Sequence, residues 1–159
     1  MQFPCFLHLV IKSPIKMYNY SAMVTRESGF EELPHTADWQ ISVWAGSLPA
    51  LFAEAARGMN ALSGAKPDTG PRIKRKFEAE DPDIESLLVA FLSELVWAAE
   101  QENLVFDTFQ VDLKGTKLKV KMTGSHILSL NKSIKAVTFH NIQIRRIGSE
   151  FQVEIVFDV

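Results

Sequence analysis

Three short stretches of the 159-residue sequence carry side chains that could act together chemically. His35-Thr36-Ala37-Asp38 stands just before a strand-like alternation. Lys135-Ala136-Val137-Thr138-Phe139-His140 lies in a late, largely apolar segment. Phe157-Asp158-Val159 closes the sequence. Asp38, Asp158 and the α-carboxylate of Val159 are hard anionic oxygens drawn from separate parts of the chain. Such a set suits Ca²⁺ or Mg²⁺ rather than zinc or copper. His35 and His140 can orient carboxylates, exchange protons or satisfy backbone groups. Lys135 can neutralise the carboxylates or reach a phosphate. A plainer reading stands beside this one. Asp and Thr before a strand commonly bond the local backbone, and a penultimate residue commonly frays. The strand pattern running up to Phe157 argues instead for a terminus that is tied down, with Asp158 and Val159 at a fixed place.

Several other chemistries are absent from the sequence. It has no phosphate-binding glycine loop, no GxSxG, no HExxH and no EF-hand loop. The single Cys5 excludes an internal disulfide framework and any cysteine-based zinc site, which fits a reducing, cytoplasmic setting. With 47% hydrophobic and 23% charged residues, the chain is too apolar for intrinsic disorder. No apolar run reaches the ~18 residues of a spanning helix.

The elements that must position these residues are legible from about Phe30. Trp39, Ile41 and Val43 alternate with Gln40, Ser42 and Trp44, as in a strand. Ser47 as N-cap and Pro49 in the first turn open a helix over 48–62. Two Gly and two Pro make 64–71 a loop. Residues 72–80 read as a strand. Asp81 as N-cap and Pro82 at the first position open a second helix, with Asp83 and Glu85 suiting its dipole. Its stripe of Ile84, Leu87, Leu88, Phe91, Leu92, Leu95 and Val96 is a core face. Phe109, Val111 and Leu113, then Leu118, Val120 and Met122, alternate with polar residues around Gly115-Thr116. This predicts a hairpin with one wet face. Strands over roughly 134–146 and 150–157 follow, with a short loop over 123–134 before them. The expected fold is α+β: a compact two-layer sandwich of mostly antiparallel sheet with two main helices. Residues 1–26 read as a flexible leader, with Met17 and Met23 as alternative starts, and 27–159 as a single domain.

Net charge is −2, but the charge is unevenly spread along the chain. Residues 1–113 balance to −7, residues 114–149 hold eight basic and no acidic side chains, and 150–159 contribute −3. The basic stretch is Lys114, Lys117, Lys119, Lys121, Lys132, Lys135, Arg145 and Arg146. It reads either as a surface for RNA phosphate or an acidic partner, or as a solvated sheet face.

At the residues that opened this section the sequence resembles the archease family, from about Phe30 to Val159. His35-Thr36-Ala37-Asp38 leads into a strand and the Leu51-Phe52-Ala53-Glu54-Ala55-Ala56 helix. The acidic lead into the second helix (78–95), the block LVFDTFQV (104–111), KAVTFH (135–140) and VFDV (156–159) follow in the family's order. The sequence departs from the family pattern at Pro34, Trp39-Gln40, Phe139 and Asn141, none of them a proposed metal ligand.

The resemblance implies an archease-like α+β sandwich and a protein cofactor, not an enzyme, that activates an RtcB-type RNA ligase. Such cofactors promote guanylylation of the ligase's active-site His and multiple turnover in tRNA splicing and RNA repair. It also implies a divalent metal, Ca²⁺ in known members with Mg²⁺ or Mn²⁺ as alternatives, held by Asp38, Asp158 and Val159. Lys135 matches the motif lysine, and Asp38, Lys135 and Asp158 are the activation candidates. His35 and His140 match by motif as supporting residues. The ligase is the implied partner, RNA is met only indirectly or weakly, and neither DNA nor membrane is involved. Two rival readings remain: a small metal-dependent hydrolase built on Asp38, Asp158 and His140, and a stand-alone RNA-binding or chaperone-like module using 114–149.

Overall fold

The computed structural model describes residues 27–34 and 38–159. The leader expected over 1–26, and His35, lie outside the described residues.

Among the described residues there are two antiparallel sheets and two helices, so the α+β expectation holds, with the strands divided between sheets. The first sheet contains β1 (Gly29–Leu33) and β2 (Trp39–Ala45). It continues through the last strand, β9 (Glu150–Asp158), and the short β7 (Ala136–Val137) and β8 (Arg145–Ile147). β9 lies inside this sheet, with β2 on one side and β7 and β8 on the other. The second sheet holds β3 (Lys66–Pro67), β4 (Ile73–Glu80), β5 (Leu104–Lys114) and the long β6 (Lys117–Ser129). β6 pairs with β4 and β3 along one side and with β5 along the other.

Helices α1 (Leu48–Ser63) and α2 (Ile84–Glu102) each pack against both sheets. Their junction centres on Phe91, which stacks with Phe52 of α1, tilts on Phe77 of β4 and meets Phe109 of β5 edge-on. Aromatic pairs at these separations contribute roughly 0.5–1.5 kcal/mol each beyond their burial. Arg75 points inward from β4 yet keeps its charge paired. Its guanidinium lies 2.5 Å from Glu102 and 3.6 Å from Glu94 of α2, and 5.5 Å from the Phe106 ring centroid.

The α1 start follows the sequence: Ser47 Oγ accepts from the Ala50 N–H, and Gly64 ends the helix at φ 65°. α2 begins later than expected. Asp81 accepts the Asp83 N–H, building a turn that holds Pro82, and Asp83 is the N-cap. Its carboxylate accepts from the Glu85 N–H and the Ser86 hydroxyl, and hydrogen bonding with the Glu85 and Ser86 side chains holds it below the usual carboxylate range. β3 interrupts the expected 64–71 loop. β6 runs to Ser129, so the expected loop at 123–134 begins as sheet. It does so where Gly124 crosses the irregularity in β5 between Phe106 and Thr108, and a Cβ there would stand 2.0 Å from the Val105 carbonyl oxygen.

The expected strand over 134–146 is two short strands separated by an excursion. Thr138 still bonds the Val156 carbonyl, through both its N–H (3.0 Å) and its hydroxyl (3.2 Å). The chain then leaves the sheet. Asn141 takes φ 54°, and the Ile144 N–H is bound by the Glu85 carboxylate of α2 (2.9 Å). That partner, remote in sequence, is what diverts the backbone from pairing.

Candidate metal and docking site

Asp158 owes its position to the strand that carries it. Val153, Ile155 and Phe157 are buried on the inner face of β9 and lock its register against Ile41 and Val43 of β2. Asp158 is the last strand residue, exposed, and paired with Ala136 of β7. Its carbonyl accepts the Lys135 N–H at 2.8 Å. The Lys135 ammonium turns to the main-chain oxygen of Val159 at 3.2 Å. One lysine therefore clasps the last two residues through its backbone and its side chain.

Asp38 approaches through β2. Trp39 pairs with Phe157, the last paired rung of these two strands, and Asp38 and Asp158 each stand one residue beyond it. Asp38 also lines an open cleft with Glu32, Leu33, Pro34 and Trp39. Lys132 sits 5.1 Å from the Trp39 ring centroid, a cation–π contact that places a second lysine at this corner. Glu32 was not singled out from sequence. The only signal was the acidic pair Glu31-Glu32 ahead of the motif, and its place in the cleft depends on β1 pairing with β2.

His140 is not part of this corner's bonding. It is exposed, and Nε2 meets the Asn141 side-chain amide at 2.9 Å. Asn141 is suited to its left-handed backbone, as Gly or Asp would be, so that departure from the family pattern preserves the turn. Phe139 is largely exposed (62%).

Asp38 and Asp158 offer hard carboxylate oxygens, the donor type that Ca²⁺ or Mg²⁺ takes. Among the described residues, no three Asp, Glu, His or Cys side chains converge as a metal cage. An ion at this corner would therefore draw on Asp38, Asp158 and oxygen from the Val159 terminus, with water completing its shell. Lys135 and Lys132 offset the negative charge.

The basic stretch over 114–149 does not form one surface. Lys114, Lys117 and Lys119 lie on the outer face of the second sheet, paired with Asp112, Glu80 and Glu78. Lys132 and Lys135 belong to the Asp158 corner. Arg146 lies over Phe151 on β9. Among the described residues no helix is long and apolar enough to cross a membrane.

Comparison with known proteins agrees with this architecture. The solution structure of Methanobacterium thermoautotrophicum protein 1598 superposes with a TM-score of 0.63 at 23% identity, covering 82% of this chain and 99% of that one. A crystal structure from Thermotoga maritima, described as "an archease, possible chaperone", gives 0.62 at 21% identity, covering 81% and 96%. Protein archease of Methanosarcina barkeri is 29% identical over 147 residues, 86% of this chain and all of that protein. Protein archease of Thermococcus gammatolerans is 31% identical over 127 residues, 74% and 89% respectively. The family model described as "Archease protein family (MTH1598/TM1083)" matches residues 30–159. The chain belongs to the archease family.

Proposed function

We propose that this chain is a metal-binding protein cofactor that activates an RtcB-type RNA ligase, promoting guanylylation of the ligase's active-site His and its repeated turnover. The reading rests on family membership, and one structural observation supports it most. The interior strand β9 carries Asp158 to an exposed sheet end under the Lys135 clasp, one residue past the Trp39–Phe157 rung that Asp38 precedes. A bound Ca²⁺, or Mg²⁺ or Mn²⁺ in its place, would supply positive charge for phosphate oxygens at that corner.

The chain's own residues do the rest. Phe157 and Trp39 hold the two carboxylate-bearing strand ends in register. Lys135 and Lys132 lower the cost of bringing that corner against an anionic nucleotide. Positioning and charge stabilisation suffice to assist such a transfer. The chain then needs no nucleophile of its own, in keeping with a cytoplasmic, chaperone-like activator in tRNA splicing and RNA repair. The Thermotoga relative's description as a possible chaperone is compatible with this reading.

The test is guanylylation of a cognate ligase with and without this protein. Wild type is expected to accelerate it, and Asp38→Ala to lose most of the stimulation. Equal stimulation by both removes Asp38 from the mechanism. No stimulation by wild type removes the activator reading itself.

A further inference from the structure

The outer face of the second sheet carries a charge pattern that the proposed site does not use. Register fixes its rows. Glu80, Lys117 and Lys114 share one rung, and Glu78, Lys119 and Asp112 the next. In these rungs each lysine has a carboxylate within 3.7 Å. At the far end, Arg72 binds Asp107 through both guanidinium nitrogens.

Between these neutralised ends lie Lys76 directly opposite Lys121, with Lys74 one rung on. All three are exposed, and none has an ion-pair partner among the described residues. Their neighbours across β6 are Gln110, Thr123 and Thr108, which are neutral hydrogen-bonding groups.

Like charges directly opposite on paired strands are destabilising. Keeping Lys76 against Lys121, with Lys74 also unpaired one rung on, leaves the repulsion for an external anion to relieve. The rung spacing of about 6.7 Å along a strand lets neighbouring lysines follow successive phosphates of a nucleic-acid backbone. No aromatic side chain occupies these rungs, so unstacked bases would find no platform. A duplex, with phosphates and 2′-hydroxyls outward, fits this face better than a single strand.

We propose that Lys74, Lys76 and Lys121, with Thr108, Gln110 and Thr123, form a weak docking face for the phosphodiester backbone of double-stranded RNA. The choice of RNA rests on the ligase-activator reading. The face would orient a structured RNA while the ligase holds its ends. Contact through three lysines is salt-sensitive and indifferent to sequence.

The test uses the full chain and a labelled, blunt RNA duplex, without ligase, followed by fluorescence anisotropy across a salt series. Its outcome is therefore separate from the guanylylation assay. With ~0.9 counterion released per contact, wild-type affinity is expected to fall about 40-fold between 50 and 200 mM salt. Lys121→Gln is expected to reduce the log–log salt slope by about one unit, and the triple Lys74→Gln/Lys76→Gln/Lys121→Gln variant to nearly abolish it. Lys117→Gln, whose lysine is already paired, leaves the slope unchanged. Without RNA, Lys76→Gln is expected to melt no lower than wild type, because it removes a like-charge contact. The proposal is overturned by an unchanged slope in the triple variant, or by no duplex binding at 50 mM salt. It is equally overturned if a single strand of the same length or a polyglutamate peptide binds as tightly.

Discussion

Truncating Phe157 to alanine should unlock the site in a graded, measurable way. The ring is fully buried and stands opposite Trp39 on one side and Val137 on the other. Phe→Ala in a closed core costs about 3–5 kcal/mol, the transfer term plus the cavity left behind. At roughly 3 °C per kcal/mol for a domain of this size, the melting temperature should fall by about 9–15 °C. The loss should also be local. The Lys135 amide donates to Asp158 and the Thr138 amide to Val156, the two carbonyls that flank the deleted ring. Val153 pairs with Val43 deeper in the sheet and keeps its packing. Native-state hydrogen exchange should therefore show the Lys135 and Thr138 amides opening well before those around Val153, and Ca²⁺ affinity should fall with them. Phe157→Leu should lie between variant and wild type. A melting shift under about 3 °C, or unchanged protection at Lys135 and Thr138, would refute the claim that this ring holds the terminal rung.

Two further outcomes are expected. The Arg72 guanidinium holds the Asp107 carboxyl below the ordinary aspartate range. A depressed folded-state value means the pair's contribution is fully present above the ordinary value of about 3.9 and is lost as pH falls from there through the lower folded-state value. Asp107→Asn should therefore melt roughly 1–3 °C below wild type at pH 7, as suits an exposed pair, with the gap narrowing as pH is lowered below the ordinary carboxylate range. A gap that persists unchanged at pH 3 would assign the effect to packing. If the Val159 carboxylate is a ligand, a C-terminal tag should weaken calorimetric Ca²⁺ binding by roughly tenfold or more relative to an N-terminal tag, through loss of one charged oxygen. Equal affinities would remove Val159 from the site.

What the sequence revealed depended on whether an element's partners were nearby. The α2 stripe and the β5–β6 hairpin were legible because one face of each is buried within a local unit, so periodicity survives in the residues. β1 was missed. Its five residues, Gly29–Leu33, include two exposed glutamates and form a strand only because β2 offers a register. Asp81 was read as the cap of α2, but its carboxylate takes the Asp83 N–H in a turn around Pro82, and Asp83 caps the helix instead. The 134–146 segment was read as one strand, whereas Glu85, more than fifty positions away, takes the Ile144 amide. The ordering of Asp158 could be inferred from Val153, Ile155 and Phe157. That Trp39, which follows Asp38, pairs with Phe157 needed a register across more than a hundred residues. Likewise, the basic run over 114–149 was real in sequence and dissolved in space, because β4 and β5 supply carboxylates to most of its sheet lysines.

The broken course of β7 and β8 has a consequence for how the protein behaves in a crowded solution. A long outer strand with unpaired amides and carbonyls is a template for another chain. Beyond β9, the first sheet presents only two residues of β7 and three of β8, with the 138–144 excursion between them. Among the described residues its other margin is the five-residue β1, carrying Glu31 and Glu32. Neither flank offers a flat, uninterrupted ladder. The sheet can thus leave its carboxylate-bearing end open to a partner while its sides discourage strand-by-strand aggregation.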